Sequence, residues 1–358
     1  MKLKELALCL LALPLVWACS SNDEFEEPIP EPTPTPKYYP LTIEVNENPL
    51  VDSTATSANT GRFKAPITYL NTLTGFNLSY IYATGEDADD GGQPYRYGTE
   101  WVSDNDGRGH WQVGNEGQYG WPGGAVSTTG GGNGDIEVTW YAYTEGASIQ
   151  MDNYSKNPYL NYTVEEASTN QKDLLVSKNT YTWNNSHGVM FFTFNHACSA
   201  LKFYIKKATN VKDHAIVVSE VKLHQVKKSG RYYLEDDSWT LLDGTSDYTL
   251  FLETNENQAI TLESDKDKYA ALYAGTLQQD TENAYLFLLP QTLTAWNPLE
   301  SLSATSGSYL ELRFKLDGVE KTGYVPFAGT FNKGEKHNVW INIGKNSLYN
   351  ANGSKIIN

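Results

Sequence analysis

The sequence predicts an all-β protein, and three observations support this fold class. The chain holds 24 tyrosines and 13% aromatic residues in all, and aromatic residues favour strands. Apolar and polar residues alternate over short segments that Gly, Asn and Asp separate, which is typical of half-buried strands joined by turns. Long segments with a helical period are nearly absent. Short strands at this spacing are typical of β-sandwiches.

The chain begins with a segment of the kind that directs export. Lys2 and Lys4 precede an apolar run over residues 6–16, and Ala18 and Cys19 follow it. The run is too short to span a bilayer. A cysteine directly after a small residue resembles the lipobox of bacterial lipoproteins. The resemblance implies a lipoprotein signal peptide over residues 1–18 and acylation of Cys19, palmitate included. The alternative is an ordinary secretory signal and a chance cysteine.

Residues 19–40 are predicted to form an acidic, proline-rich linker. Residues 20–27 are acidic and polar, and prolines recur through residues 28–36. Such a composition favours an extended polyproline conformation, which would give the protein reach from a membrane. The acidic run after the cysteine also resembles the surface-export signals of some Gram-negative lipoproteins, although ordinary solvated linkers share this composition.

The first half, residues 41–188, is predicted to form an N-terminal β-sandwich domain. Its first strand alternates Leu41, Ile43 and Val45 with polar residues, so that one face is apolar. The predicted strands are residues 41–45, 67–70, 76–82 and 136–143. An acidic loop at 85–92 and a glycine loop at 123–134 separate them.

The second half, residues 189–358, is predicted to form a C-terminal β-sandwich domain with a short tail. Its alternation is stronger than that of the first half. The predicted strands are residues 189–194, 201–205, 216–226, 232–234, 248–252, 259–262, 285–289, 310–316 and 339–343. The boundary between the two domains is predicted near residue 188.

The charge and the cysteines exclude several classes of partner and cross-link. The net charge of the chain is −16, and loss of Lys2, Lys4 and Glu5 with the signal leaves −17. An acidic surface of this kind repels phosphate backbones and anionic lipid, so we expect no nucleic-acid partner. With Cys9 removed and Cys19 acylated, Cys198 is alone, and the mature chain has no internal disulfide.

Several segments, taken in order, resemble the fimbrillin family, the pilin-like and Mfa-like lipoproteins of type V pili. They are residues 62–82, 118–122, 138–143, 173–175, 192–196, 201–203, 288–291 and 338–343. The resemblance spans the mature chain. It implies two transthyretin-like Greek-key β-sandwich domains in tandem. It also implies a lipid-anchored structural or adhesive protein of the outer membrane surface, acting as shaft, tip or anchor of a pilus.

The resemblance also implies an assembly mechanism. In the family, the first strand of the precursor fills an incomplete sandwich until an arginine-specific or trypsin-like protease cuts after it. A strand of another pilin subunit then adds to the open groove. Here the removable strand would be Leu41, Ile43 and Val45, and the cut would follow Arg62, with Lys64 as second choice. Arg62 as a plain loop cation is the alternative.

The tail departs from the family pattern. Within residues 344–358 only Leu348, Ile356 and Ile357 are strongly apolar, so the tail is a poor donor strand. A tip or anchor subunit, or a surface lipoprotein that never polymerises, therefore stays open beside the shaft role.

The sequence carries no pattern typical of catalysis or metal binding, so we expect no enzyme, no cofactor and no metal. No His-Glu-x-x-His pattern or cysteine pair occurs. His196 and Cys198 are interpreted as packing residues. The acidic loops at 87–90 and 104–107 offer oxygen ligands, but neither continues as an EF-hand, and solvated loops are the favoured interpretation.

Aromatic residues in one glycine-rich region support a rival function. Trp101 and Trp111 lie among Gly, Asp and Asn, and flat aromatic faces can stack on sugar rings. Tyr119 and Trp121 belong to the same region, although Trp121 matches a recurrent structural position of the family. The rival is a surface glycan-binding lipoprotein of a nutrient-capture system, and its ligand would be a sugar of host or bacterial origin. A secreted hydrolase on a β-sandwich is a third, weaker hypothesis.

Overall fold

A computed structural model shows that the protein is built almost entirely of strands, which confirms the predicted all-β class. The structure describes residues 42–47, 51–52, 75–82, 95–103, 109–113, 137–144, 147–151, 157–253, 259–264, 269–272 and 285–357. Within these ranges the α-helical residues are the single turn α1 (Trp183–Ser186). None of the helices in the described part of the chain has the length and apolar character needed to cross a membrane.

The strands of the first part of the chain mostly belong to one closed sheet. They are β1 (Thr42–Glu47), β2 (Val51–Asp52), β3 (Gly75–Tyr82), β4 (Tyr95–Ser103), β5 (Gly109–Val113), β6 (Val138–Thr144), β7 (Ser148–Met151), β8 (Pro158–Thr163), β9 (Leu175–Tyr181) and β10 (Val189–His196). The order in the sheet is β1-β10-β9-β6-β3-β4-β5, and pairing of β1 with β5 closes it.

Side chains from alternate positions fill the interior of the closed sheet. On β10, Met190, Phe192 and Phe194 are buried, whereas the residues between them are more exposed. This period of two is what a strand with one face in a core requires. The buried cluster, called the closed-sheet core below, consists of Ile43, Phe76, Leu78, Tyr80, Val138, Trp140, Ala142, Leu175, Met190, Phe192 and Phe194.

A capped helical turn joins β9 to β10. Thr182 is the N-cap of α1, and its hydroxyl accepts a hydrogen bond from the backbone N–H of Asn185. The side-chain oxygen of Asn185 in turn accepts a hydrogen bond from the backbone N–H of Thr182. This reciprocal arrangement satisfies two backbone donors at the start of the turn. His187 then takes a left-handed conformation with φ of 49°, which ends α1 before β10 begins.

The strands of the second part form further sheets. They are β11 (Ser199–Lys207), β12 (Ile216–Val226), β13 (Ser229–Tyr233), β14 (Ser238–Leu241), β15 (Ser246–Leu252), β16 (Ile260–Thr261), β17 (Ala270–Leu272), β18 (Leu286–Leu288), β19 (Gln291–Leu293), β20 (Tyr309–Leu316), β21 (Val319–Pro326), β22 (Gly329–Phe331) and β23 (Glu335–Ile343). The two largest of these sheets have the orders β17-β11-β23-β2 and β15-β12-β20-β21.

A second and larger core lies among these sheets. One face of β11 contributes Leu201, Phe203 and Ile205, while β12 and β20 contribute Val221, Leu223, Leu312 and Phe314. All of these side chains are buried. The opposite faces of β11 and β23 carry lysine, tyrosine, asparagine and tryptophan instead, so the sheet that contains them has one apolar face and one mixed face.

Four strand pairings among the described residues cross the predicted boundary at residue 188, namely β1–β10, β9–β10, β8–β13 and β2–β23. β10 lies after that position but pairs with β1 and β9, in the closed sheet. β8 lies before it but pairs with β13 in a sheet of order β14-β13-β8-β7. The division into sandwich domains at 41–188 and 189–358 stays a prediction.

Candidate strand-exchange site

The first described strand, β1, lies between two other strands of the closed sheet. β1 runs parallel to β10, with Ile43 opposite Met190 and Val45 opposite Phe192. On its other side β1 meets β5, where Ile43 lies opposite Trp111. A strand in this position supplies the main-chain partners of both neighbours and removes two sheet edges.

The side chains of β1 alternate between the core and the surface. Ile43 is only 5% exposed and belongs to the closed-sheet core, and the partly buried Val45 packs against the same core. Glu44, between them, is exposed. Burial of one isoleucine side chain contributes about 1.5–3 kcal/mol to stability. β1 is therefore held by apolar burial as well as by main-chain pairing.

The core that contains Ile43 also contains several aromatic side chains. Phe76 and Phe194 meet edge to face, with ring centroids 5.2 Å apart, and Tyr80 and Trp140 lie 4.9 Å apart. Aromatic rings with fixed mutual geometry do not collapse readily into a vacated space. We call the buried position of Ile43 in this partly aromatic core the seat of Ile43.

The chain directly after β1 pairs with a different sheet. Val51 and Asp52 of β2 run parallel to β23, opposite Glu335 and Lys336. β1 and β2 together therefore contact two sheets, the closed sheet through β10 and the β11–β23 sheet through β2.

A buried ion pair lies where β10 ends. His196 Nδ1 contacts Asp173 Oδ2, and the two side chains are 1% and 2% exposed. Nearby, burial raises the pKa of the Cys198 thiol, and Asp173 raises it further. A thiol with a raised pKa stays protonated and is a poor nucleophile. The arrangement supports the interpretation of His196 and Cys198 as packing residues.

The tail packs back onto the protein. Tyr349 exchanges two main-chain hydrogen bonds with Tyr324 of β21, of 2.7 and 3.0 Å. The side chains of Leu348 and Ile357 are buried in the larger core. The apolar residues of the tail therefore stabilise its own subunit.

Most of the predicted processing residues lie outside the described residues. Leu41, Cys19, Arg62 and Lys64 fall there, as do the acidic loops at 87–90 and 104–107. Ile43 and Val45 are described, and the structure brings both to the closed-sheet core. Lipidation, cleavage and removal of the first strand stay predictions.

The strand pairing places the two predicted stacking positions opposite each other on adjacent strands. Trp101 of β4 lies opposite Trp111 of β5, and Trp111 lies opposite Ile43 of β1. The three positions thus form one cross-strand row, in which Ile43 is buried. Stacking of a ligand on Trp101 and Trp111 stays a prediction. Within the described residues, no group of three His, Cys, Asp or Glu is placed to hold a metal ion.

Sequence reasoning missed the partners of the first strand. Matching alternation in residues 43–45 and 190–194 indicates two strands that share a core, but it does not indicate that they pair in parallel. No pattern in β2, which has two residues, indicates pairing with β23.

Several solved structures resemble this chain. A fimbrial protein from Bacteroides vulgatus shares 16% identity, covering 84% of this chain and 95% of that protein, with a TM-score of 0.49. A Bacteroides ovatus protein named for cell adhesion shares 15% identity over 87% of this chain and 95% of its own, with a TM-score of 0.45. A fimbrial assembly protein from Parabacteroides distasonis shares 11% identity over 86% and 92%, with a TM-score of 0.39.

The family of the chain is assigned from its amino-acid sequence. A comparison with curated proteins finds no match. The sequence profile described as fimbrillin-like matches residues 133–356, which reach from just before β6 into the tail and make up more than half of the chain. The chain belongs to the fimbrillin-like family.

Proposed function

We propose that this protein is a lipid-anchored subunit of a type V pilus and assembles by exchange of its first strand. One observation carries the proposal. β1 lies between β10 and β5 and places Ile43 in the closed-sheet core. A removable strand needs this position, because its departure opens an apolar seat and two sheet edges at once.

The physics of strand addition fits this geometry. Loss of β1 would leave the main-chain groups of β10 and β5 without partners and would expose the seat of Ile43. An incoming strand would restore the main-chain bonds, and its alternate apolar side chains would fill the seat. Because β2 pairs with β23, release of both strands would also uncover part of a second sheet edge.

The remaining features of the proposal concern processing and location. Acylation of Cys19 would hold the precursor at the outer membrane until a protease cuts after Arg62 or Lys64. That cut would release the lipid together with β1 and β2 from the rest of the protein. The partners would be other pilin subunits, bound through an added strand. The proposed role is structural or adhesive, not enzymatic.

The test compares residues 19–358 with residues 63–358. Thermal unfolding and size-exclusion chromatography would be measured for both, with and without a peptide of residues 38–50. We expect the shorter form to unfold at lower temperature and to form ordered oligomers, and we expect the peptide to restore a monomer. A control peptide carrying Ile43→Asp should not restore it, since a buried carboxylate is costly.

Two results would refute the strand-exchange proposal. One is equal stability and a monomeric profile for both forms. The other is equal rescue by the native and the Ile43→Asp peptides, because rescue would then not depend on the apolar seat. Either result would favour a surface lipoprotein that does not polymerise.

A further inference from the structure

An aromatic platform lies on the outer face of the sheet that contains β11 and β23. We use this name for Tyr204 of β11, Trp340 of β23 and Tyr269, which directly precedes β17. Tyr204 and Trp340 are opposite each other in the parallel pairing of β11 with β23. Asn338 and Asn342 flank Trp340 two residues away on either side, so they share its face of the sheet.

Trp340 is stacked against one neighbouring ring and still keeps a large exposed surface. The rings of Tyr204 and Trp340 lie 4.3 Å apart and within 13° of parallel. Trp340 is nevertheless 53% exposed. Tyr204 therefore covers part of the indole, and more than half of the residue's surface stays accessible to a ligand. Trp340 and its two tyrosine neighbours form one aromatic cluster, and tryptophan and tyrosine are enriched at contact surfaces.

Further contacts hold the platform in place. The amine of Lys206 lies 4.0 Å from the centroid of the Tyr269 ring, and the Tyr269 hydroxyl donates to Asn342 Oδ1 over 3.1 Å. Tyr269 in turn meets Trp340 edge to face, with centroids 4.7 Å apart. These contacts fix the rings before any ligand arrives, so little side-chain entropy is lost on binding.

We propose that the aromatic platform binds a pyranose oligosaccharide. The exposed surface of Trp340 can contact the apolar face of a pyranose ring. The side-chain amide of Asn338 can donate to and accept from the sugar hydroxyls, and the amide nitrogen of Asn342 can donate to them. An apolar protein partner would instead favour apolar neighbours around the indole, and here the flanking residues of β23 are amides. The proposal deepens the adhesive role proposed above, because it names the class of ligand.

The test measures sugar binding by the mature chain. The probes are neutral oligosaccharides (maltohexaose, laminarihexaose, mannohexaose) and acidic ones (oligogalacturonate, sialyllactose), first on an array and then by calorimetry. We expect binding of at least one probe, and we expect Trp340→Ala to weaken it at least about tenfold, because truncating a central aromatic anchor usually costs more than 1.4 kcal/mol. Trp340→Phe should retain part of the affinity. Phe191→Ala is the matched control, since Phe191 is an aromatic residue of the same 53% exposure on another sheet, and it should bind like the wild type.

Fluorescence provides a second measurement that does not depend on the affinity of a truncated variant. Sugar bound over the indole should shift the emission of the wild type, and the shift should be absent in Trp340→Phe. Failure of every probe to bind, or equal binding by wild type and Trp340→Ala, would overturn the proposal. So would an effect of Trp340→Ala on subunit association alone, which would assign the platform to a protein partner. Strand exchange is scored separately by the peptide rescue, so the two proposals fail independently.

Discussion

Ile43 and Met190 lie opposite each other in the parallel pairing of β1 with β10, and both side chains are buried. The pair joins the start of the described chain to the strand that precedes the second set of sheets. Through this contact the closed-sheet core depends in part on the strand that the proposed processing would remove. The stability of the precursor should therefore respond strongly to changes at this pair.

The first prediction concerns the seat of Ile43. We expect Ile43→Ala to lower the free energy of unfolding by about 2–4 kcal/mol, because it removes buried methyl groups and leaves a cavity in a partly aromatic core. The matched control is Glu44→Ala on the exposed face of the same strand, which should change stability by about 0.5 kcal/mol or less. Urea unfolding of both variants checks this. Similar effects at the two positions would show that the strand is not anchored by its apolar face.

The second prediction concerns the buried pair of Asp173 and His196. We expect Asp173→Asn to destabilise the protein by about 3 kcal/mol, since it leaves a buried histidine without its carboxylate. His214 and Asp317 form a similar but exposed pair, with a distance of 2.8 Å between Nδ1 and Oδ2. Asp317→Asn should therefore have a much smaller effect. Thermal unfolding of both variants tests the difference, and equal losses would contradict it.

The third prediction concerns the contact between Gly323 and the tail. A Cβ atom at Gly323 would lie 2.6 Å from Leu348 Cδ1. We expect Gly323→Ala to cost about 1–3 kcal/mol through overpacking, and to cost less when Leu348→Ala has already removed the obstructing group. A double-mutant cycle by urea unfolding measures this coupling. Strict additivity would mean that the tail does not pack against Gly323 in solution.

The fourth prediction concerns pH. The side chain of His224, whose Nε2 lies 3.1 Å from Oε2 of Glu311, holds the pKa of Glu311 below its ordinary value, although partial burial opposes the shift. A lowered folded-state pKa stabilises the protein above the unfolded pKa of about 4.3, and this stability is lost as pH falls through the folded value.

Stability should therefore decline on acidification from about pH 5 to about pH 3, and Glu311→Gln should decline less steeply. Glu320→Gln on the adjacent β21 is a control for loss of one carboxylate. Thermal unfolding across this range measures the slopes. Parallel slopes for the wild type and Glu311→Gln would contradict the assignment.

The sequence predicts local structure better than it predicts strand partners. The alternation of Met190, Phe192 and Phe194 predicts a strand with one buried face, and the structure has that strand. The same residues do not indicate whether the neighbour is β9 or β1, because the period of two fixes only the face and the long-range pairing fixes the partner. The predicted boundary near residue 188 has the same limit. The position of β10 in the chain does not reveal that its partners β1 and β9 lie before that boundary.

The platform could be predicted only in part. The alternation of Asn338, Trp340 and Asn342 predicts that the three residues share a face, but nothing in the sequence places Tyr204 against Trp340. The polar sequence neighbours of Trp101 and Trp111 suggest a stacking role. The pairing of β4, β5 and β1 places both positions in one cross-strand row with the buried Ile43. Which face of a sheet is open depends on what covers it, and composition does not report that.

The pairing of β1 with β10 also sets the order in which the protein can fold. Ile43 and Met190 are 147 residues apart in the chain (190 − 43). Closing so long a loop costs conformational entropy, and the contacts of β1 offset this cost only when β10 is already in place. Contacts between residues so far apart in the chain slow folding. β1 would therefore leave the ribosome before β10 but take its place in the sheet after it. Until β1 docks, its position beside β10 would be vacant, and a chaperone or another strand could bind there before β1 does.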